Sequence, residues 1–249
     1  MNRKYLALAL AGACVSVSAV SAQAQERSAV RPDFAVVDRE AVRVIVYRPR
    51  VTVGEQSTGG LFEPRADWND QARQFLDAAL VNSQQALGHS VIAPPEISGE
   101  QGRLLNQYQA LFNSVADSVI NYQFFVGNRL ETKKRDNRNS QFDWSLGPGV
   151  RNLPGAEGAD YALFLTTTDH YGSTGRKVLQ VFAALGGVGV QSGVHAGYAG
   201  LVDLKTGDIL WINADKQMGG DVRTPDGAAR RMSQLLEDFP LASPAAAAN

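Results

Sequence analysis

Residues 169–173 form the group of side chains that most resembles a reactive site. The sequence there is Asp169-His170-Tyr171-Gly172-Ser173, at the end of an apolar run that predicts a strand. A histidine beside an aspartate can act as a general base, with Ser173 as the nucleophile of a hydrolase. Neighbours on a strand point to opposite faces, however, so Asp169 and His170 are badly placed to pair. A capped β-turn is the favoured interpretation, and a periplasmic hydrolase using His170 is the alternative.

The other candidate motifs each lack a part that their chemistry needs. Segment 54–61 has the glycine spacing of a phosphate loop, but not the Lys and the Ser or Thr that reach phosphate and magnesium. Segment 88–92 begins a nucleophile elbow but ends in Ile where the second Gly belongs. Three histidines stand singly, without metal-ligand spacing: His89, His170 and His195. The sequence thus predicts no catalytic residue, no cofactor, no nucleotide and no metal, and it contains no constellation that fixes a reaction.

Composition and the N-terminus predict an exported globular protein. The chain has 249 residues, of which 44% are hydrophobic, and a formal net charge of −1. Arg3 and Lys4, the apolar run 6–20 and the Ala-Gln-Ala of 22–24 form a secretory signal peptide. Cleavage after Ala24 leaves 22 basic against 25 acidic residues, a net charge of −3. Binding to a nucleic acid would need a clustered basic face, and the sequence does not suggest one.

An alternative interpretation of the N-terminus is a lipoprotein signal that ends at Cys14, the one cysteine of the chain. Lipidation there would place the protein at the outer membrane, whereas cleavage after Ala24 places it in the periplasm. The residue three positions before Cys14 is Ala11 rather than the usual Leu, which favours the periplasm. No later stretch has the roughly 18 uninterrupted apolar residues that a membrane-spanning helix requires.

Hydrophobic periodicity predicts a strand, helix, strand, helix, four strands and a final helix. Helices are expected at 68–87, from Ser98 to about 124, and from Thr224 to 239, each opened by a capping signal. Segment 51–64, rich in glycine and ending in Pro64, is expected to be a long loop. Strands are expected at six places: 41–47, 90–92, 161–168, 178–190, 196–204 and 208–213.

Segment 158–213 is the part around which the predicted fold is arranged. The strand at 161–165 is apolar on both faces, as a central strand covered on both sides requires. Two later apolar runs flank Lys205-Thr206-Gly207-Asp208, where Gly207 can take the positive φ of a tight hairpin. We therefore predict a single α/β domain with a mixed sheet, antiparallel C-terminal strands and helices packed on it.

Two sequence patterns resemble those of a bacterial envelope superfamily. They are Gly158-Ala-Asp160-Tyr-Ala-Leu-Phe-Leu165 and Leu201-Val-Asp203-Leu-Lys-Thr-Gly207-Asp-Ile-Leu-Trp211. The superfamily includes the curli secretion channel subunit and the penicillin-binding-protein activator lipoproteins, and the resemblance covers about 42–239. It implies a non-enzymatic role: binding a partner protein, assembling into oligomers or assisting envelope machinery. The implied partner is an envelope protein or a second copy of the chain.

Partner-binding residues are expected in three places. The polar segment 127–158 contains two aromatic residues, Phe142 and Trp144, which either anchor the loop to the core or contact a partner. The loop 54–64 offers Gly59, Gly60, Leu61 and Phe62. The Gly- and Val-rich stretch 185–200 is either a bulged strand pair or a surface for close contact with another subunit.

These observations predict four segments and one function. The segments are a signal peptide at 1–24, an arm or linker at 25–40, an α/β domain at 41–240 and a disordered tail at 241–249. The predicted function is that of an exported envelope protein acting by protein contacts, as an accessory or assembly factor. Besides the hydrolase, an oligomeric outer-membrane secretion or pore subunit is an alternative.

Overall fold

A mixed β-sheet covered by helices on both faces forms the core of the protein. The computed structural model describes residues 28–34, 41–87, 91–133, 142–190 and 193–241. Its strands are β1 Ser28–Val30, β2 Val44–Val46, β3 Arg50–Gln56, β4 Phe62–Pro64, β5 Val91–Ile92, β6 Tyr161–Gly172, β7 Gly193–Asp203 and β8 Ile209–Asp215. The α/β architecture with a mixed sheet and packed helices confirms the predicted fold class.

Strand β6 is the central strand of the sheet. Along one edge it pairs antiparallel with β7, which in turn pairs with β8, and β8 with β1. Along its other edge β2 and then β3 follow one another, both parallel to β6. The strand β5 extends the sheet beside β2, and β4 beside β3. The predicted antiparallel arrangement of the C-terminal strands is thus confirmed.

Within the described ranges, four α-helices connect and cover these strands: α1 Ala66–Leu87, α2 Gly99–Val119, α3 Thr174–Leu185 and α4 Pro225–Leu235. The predicted N-cap of α4 is present, because Thr224 Oγ1 accepts a hydrogen bond from the Gly227 N–H at 3.1 Å. Ser98 occupies the N-cap of α2 but makes no side-chain capping bond. One π-turn, Ile120–Phe124, continues α2 and accounts for the longer helix predicted there.

The two faces of the sheet bury separate apolar clusters. Leu163 and Leu165 of β6 pack with α1 and α4 on one face, around Leu76, Trp211 and Met232. Phe164 points to the opposite face and packs with Phe112 of α2. Because β6 is buried on both sides, its first part, 161–165, is continuously apolar rather than alternating.

The predicted hairpin is present between β7 and β8. Asp203 Oδ1 accepts hydrogen bonds from the N–H groups of Lys205 and Thr206, which closes the turn. Gly207 has φ +83°, and a Cβ there would lie 2.0 Å from the carbonyl oxygen of Gly147. Both the backbone conformation and the close contact therefore require glycine at this position.

The prediction of a long loop at 51–64 is wrong, because this segment forms the β3–β4 hairpin. Its turn lies at Ser57–Leu61, where the Ser57 N–H donates to the Leu61 carbonyl at 2.8 Å. Gly54 lies within β3 rather than in the turn. The ring of Phe62 packs directly over Gly54. The cluster of glycines therefore reflects one tight turn and one close packing contact.

The prediction of a strand at 178–190 is also wrong. Ser173 Oγ accepts a hydrogen bond from the Arg176 N–H at 3.2 Å and starts α3. The helix ends at Gly186 and Gly187, the latter with φ +75°. Its valines at 178 and 181 are typical of strands, but the capping groups at both ends select the helix.

Two structured segments extend past the predicted domain boundaries. Ser28–Val30, in the predicted arm, pairs with β8 as β1. Leu241, the first residue of the predicted tail, is buried in the core with Trp211 and Phe239. The signal peptide, Cys14 and the rest of the tail lie outside the described residues.

Candidate functional site

The structure separates Asp169 from His170, as alternation along a strand requires. Asp169 is fully buried on the face of α1 and α4. His170 lies on the other face, where its ring stacks on Phe62 with a centroid distance of 4.0 Å. Burial lowers the pKa of His170 from its ordinary value. Ser173 caps α3, so these three residues do not form a hydrolase site together.

Asp169 is instead paired with His195, its direct neighbour across the β6–β7 ladder. His195 Nδ1 lies 2.8 Å from Asp169 Oδ1. Arg231 of α4 donates to the same carboxylate from Nη1 at 2.9 Å and from Nη2 at 2.8 Å. The Thr167 hydroxyl donates to Asp169 Oδ2 at 2.8 Å and also contacts Arg231.

The buried ion pair of Asp169 and Arg231 is fully hydrogen-bonded. The remaining donors of Arg231 bind the carbonyl oxygens of Gly219 at 3.0 Å and Gly220 at 3.2 Å. Desolvation alone would raise the pKa of Asp169, but the hydrogen bonds from His195 and Arg231 outweigh it and lower the pKa. Asp169 is therefore held as a carboxylate, and it fixes the orientation of the His195 ring.

A pocket of about 430 Å³ lies where this network reaches the surface. It opens at the carboxyl ends of the parallel strands β3 and β6, the edge at which α/β proteins commonly bind ligands. The lining comes from β3, α1, β6, α3, β7 and the segment before α4. Its side chains are Glu55, Trp68, Tyr171, Thr174, Lys177, His195 and Arg223.

Arg223 and its partners form one wall of the pocket. Its guanidinium carbon lies 3.6 Å from the centroid of Tyr171 and 4.4 Å from that of Trp68. Asp221 accepts hydrogen bonds from Arg223 Nε at 2.9 Å and Nη2 at 2.8 Å, and from the Tyr171 hydroxyl at 2.8 Å. The hydrogen bond from Arg223 is the main cause that lowers the pKa of Asp221 to about 2.

The predicted aromatic partner-binding residues lie in or against the core. Phe142 is buried among the residues that pack with α2. Trp144 is half-buried, and its Nε1 donates to Gln123 Oε1 at 2.6 Å. Their positions favour the anchoring role over contact with a partner.

The predicted residues of the β3–β4 turn lie beside the start of α3. Leu61 is 73% exposed, whereas Phe62 stacks on His170. Gly59 borders open space, and a Cβ on Gly60 would lie 3.5 Å from Arg176 of α3. Leu61 is thus an exposed apolar residue of this turn.

The helix α3 itself carries an exposed apolar face, whose residues we call the α3 stripe: Val178, Val181, Phe182 and Leu185. These four side chains are between 50% and 81% exposed. Their spacing of i, i+3, i+4 and i+7 places them on one side of the helix. Leu179 and Val188, also exposed, flank the stripe.

Sequence reasoning missed the network of Asp169, His195 and Arg231 because the three residues are far apart in the chain. Asp169 and His195 become neighbours only through the register of β6 and β7. One signal was available: an aspartate within an apolar strand predicts a buried charge, which needs a cationic partner. That signal does not identify the partner.

Two further tests concern the described residues. No group of three or more His, Cys, Asp or Glu among them could hold a metal ion. Within the same ranges, no helix has the length and apolar character that crossing a membrane would require.

Comparison with known proteins gives distant structural likenesses. No family model and no curated protein matches the sequence. Among solved structures, the PelC dodecamer from Paraburkholderia phytofirmans is similar at 16% identity and a TM-score of 0.33, covering 86% of this chain and 94% of that one. A variant PelC dodecamer from the same organism is similar at 13% identity and a TM-score of 0.33, covering 87% of this chain and 98% of that one. Likenesses at this TM-score establish neither the function nor the superfamily of this chain.

Proposed function

We propose that this chain is an exported, non-enzymatic protein of a bacterial cell envelope that works through protein contacts, first of all with copies of itself. The observation that supports the proposal is the exposed α3 stripe. The N-terminal sequence supports export, since residues 1–24 have the regions of a secretory signal peptide. Self-association through α3 makes the protein an assembly component of the envelope.

The connection between β6 and β7 is longer than the sheet requires. The two strands pair antiparallel up to Tyr171 and Gly193, so a two-residue turn would suffice to join them. The chain instead forms α3 and a glycine-rich segment. Few residues of α3 are covered by the rest of the protein, and Arg176 is its one buried residue. A segment that contributes little to the core yet exposes apolar side chains is typical of an interaction surface.

The exposed apolar residues at α3 lie close together in the chain. The α3 stripe with Leu179 and Val188 comprises six apolar residues within 178–188, each at least 40% exposed. Soluble monomers rarely expose contiguous apolar patches larger than a few hundred Å², and larger ones mark interaction surfaces. Exposure to water therefore costs free energy that a partner would recover.

A second copy of the chain fits this surface better than a lipid membrane does. Segment 178–190 contains no charged residue, so two copies can meet without like-charge repulsion. Ala183 and Ala184 beside the α3 stripe let two helix backbones approach closely. Helices that lie on membranes carry many basic residues on their polar face, whereas α3 has Arg176, which is buried, and Lys177.

The test compares the mass of the mature chain in solution with that of a stripe variant. Light scattering at micromolar concentration should give a multiple of the chain mass for the wild type, and the mass of one chain for Phe182→Gln/Leu185→Gln. The matched control is Val81→Gln/Leu111→Gln, which removes two exposed apolar side chains from α1 and α2 and should leave the oligomer intact. The intact mass of protein purified from native cells would show whether it begins after Ala24 or at a lipidated Cys14.

Two outcomes would overturn self-association through α3. A wild type with the mass of one chain, or a stripe variant with the wild-type mass, would each do so. Sedimentation with phospholipid vesicles tests for the alternative occupant. Vesicle binding by the wild type that is lost in the stripe variant would assign the α3 stripe to a membrane surface instead.

A further inference from the structure

We propose that the pocket lined by Lys177, His195 and Arg223 binds a small organic anion through a carboxylate or phosphate group. This site is separate from the α3 stripe, although Lys177 lies on the same helix. It was not predicted from the sequence, since its lining comes from six segments of the chain.

The size of the pocket suits a small molecule. A volume of about 430 Å³ lies within the range of roughly 300 to 1,000 Å³ that small-molecule sites occupy. The pocket also combines convergent polar side chains with a rigid base, because His195 is fixed by a carboxylate that is itself held by Arg231 and Thr167. Preorganised donors lose little entropy when a ligand binds.

Among the Lys, Arg, Asp and Glu side chains that line the pocket, Lys177 and Arg223 are cationic and Glu55 is anionic. Each carboxylate there has an arginine partner: Asp169 pairs with Arg231, and Asp221 with Arg223. Glu55 pairs with Arg65 at 3.4 Å, and Arg65 also pairs with Asp67 at 3.4 Å. The ammonium group of Lys177 makes no ion pair to any residue within the described ranges, and its charge is not compensated. An anionic group is therefore the ligand chemistry that the lining favours.

The donors that face the pocket are of the kind that bind anionic oxygens. Arg223 uses Nε and Nη2 on Asp221, which leaves Nη1 for a ligand. His195 is hydrogen-bonded to Asp169 through Nδ1; within the described chain no residue is hydrogen-bonded to its Nε2, which donates to an anion when the imidazole is protonated. Hydrogen bonds from charged donors to anionic oxygens are about twice as strong as neutral ones.

The aromatic residues do not offer free faces for a sugar ring or an aromatic ligand. Arg223 already lies over the rings of both Tyr171 and Trp68, and Arg65 also lies 5.0 Å from the Trp68 centroid. The Tyr171 hydroxyl is engaged with Asp221. These rings thus support the guanidinium group, and the ligand meets the charged side chains instead.

Binding can be tested with inorganic phosphate and malonate as probes. Each is titrated into the folded protein while the imidazole resonances of His195 are followed by nuclear magnetic resonance, with trimethylammonium as a cationic probe. The anions should shift the His195 resonances saturably with Kd in the millimolar range, and trimethylammonium should not. Comparing phosphate with malonate at equal charge shows which of the two acceptor groups the pocket prefers.

Variants connect the binding to the pocket. Lys177→Gln should weaken anion binding on the order of threefold, as expected for an exposed charge pair, whereas Lys177→Arg should retain it. The matched control is Lys205→Gln, in the β7–β8 turn, which should bind like the wild type. Absence of a saturable shift with either anion would overturn the proposal, as would equal affinity of Lys177→Gln and the wild type. Neither result depends on whether the chain self-associates, which is measured by mass on the same samples.

Discussion

At the residue scale, the pocket depends on carboxylates whose hydrogen bonds to neighbouring donors require the ionised form. Asp169 receives hydrogen bonds from β6, β7 and α4 at once, so it connects the sheet to the helix layer. Removing one member of a buried ion pair leaves the other charge uncompensated, at a cost of about 3 to 5 kcal/mol. The network is therefore a structural requirement first, and it positions His195 at the pocket as a consequence.

The pH dependence of stability should reveal the second carboxylate, Asp221. Its pKa falls from an ordinary value of 3.8 to about 2 in the folded protein. A depressed folded pKa stabilises the protein above pH 3.8, and this contribution is lost as the pH falls towards 2. Asp221→Asn should thus be less stable than the wild type near pH 7, and the difference should shrink between about pH 4 and about pH 2.

Urea unfolding at a series of pH values measures this difference. The variant Tyr171→Phe, which removes one donor to Asp221, should show a smaller change over the same pH interval. A difference between Asp221→Asn and the wild type that stays constant down to about pH 2 would show that Arg223 and Tyr171 do not depress this pKa.

The sequence predicted part of this site. Alternation along β6 correctly separated Asp169 from His170, because that argument needs only the geometry of one strand. The pairing of Asp169 with His195 depends on the register of two strands, and Arg231 on the packing of α4. Neither register nor packing is encoded within a short stretch of sequence, so the pocket could not be predicted.

At the element scale, the structure differs from the sequence-based expectation where local signals compete. The valines of α3 favour a strand, but the cap at Ser173 and the glycines after Leu185 favour a helix. In segment 51–64 the glycines favour a loop, whereas β-sheet pairing with β6 imposes a strand on Arg50–Gln56. Where the helical periodicity was strong, as in α1 and α4, the helices were predicted to within a few residues.

Packing between α2 and β7 predicts a strict requirement for glycine at position 200. A Cβ there would lie 2.4 Å from Cε2 of Phe112, whose ring is fully buried and stacked on Phe164. Gly200→Ala should therefore destabilise the protein by about 1 to 3 kcal/mol through overpacking. Urea unfolding measures the change in free energy.

The control for this variant is Gly59→Ala in the β3–β4 turn. A Cβ at Gly59 meets no atom within 4 Å, and its φ does not lie in the left-handed region. This variant should have the stability of the wild type or slightly more. If Gly200→Ala were as stable as the wild type, the ring of Phe112 would have room to move, and the close packing of α2 on β7 would not be required.

At the scale of the whole molecule, the chain consists of a helix-covered sheet and the connection between β6 and β7, which contains α3 and which we call the α3 excursion. The mixed sheet, its antiparallel C-terminal strands and the helices packed on it follow from apolar patterning and were predicted. The outer strands β1 and β4 were not, because three-residue strands at an edge carry little periodicity. The α3 excursion between β6 and β7 adds almost nothing to either core cluster.

This division predicts that the α3 excursion can be removed without loss of the fold. Replacing residues 172–192 by an Asn-Gly turn joins β6 to β7 at the position where Tyr171 already faces Gly193. The shortened protein should unfold cooperatively, with a Tm within a few degrees of the wild type, because no buried apolar residue of α3 is lost. It should have the mass of one chain in solution, since the α3 stripe is gone, and it should bind anions more weakly because Lys177 is gone. A shortened protein that remains oligomeric would place the subunit contact elsewhere on the sheet or its helices, whereas one that fails to fold would show that α3 supports the β6–β7 hairpin.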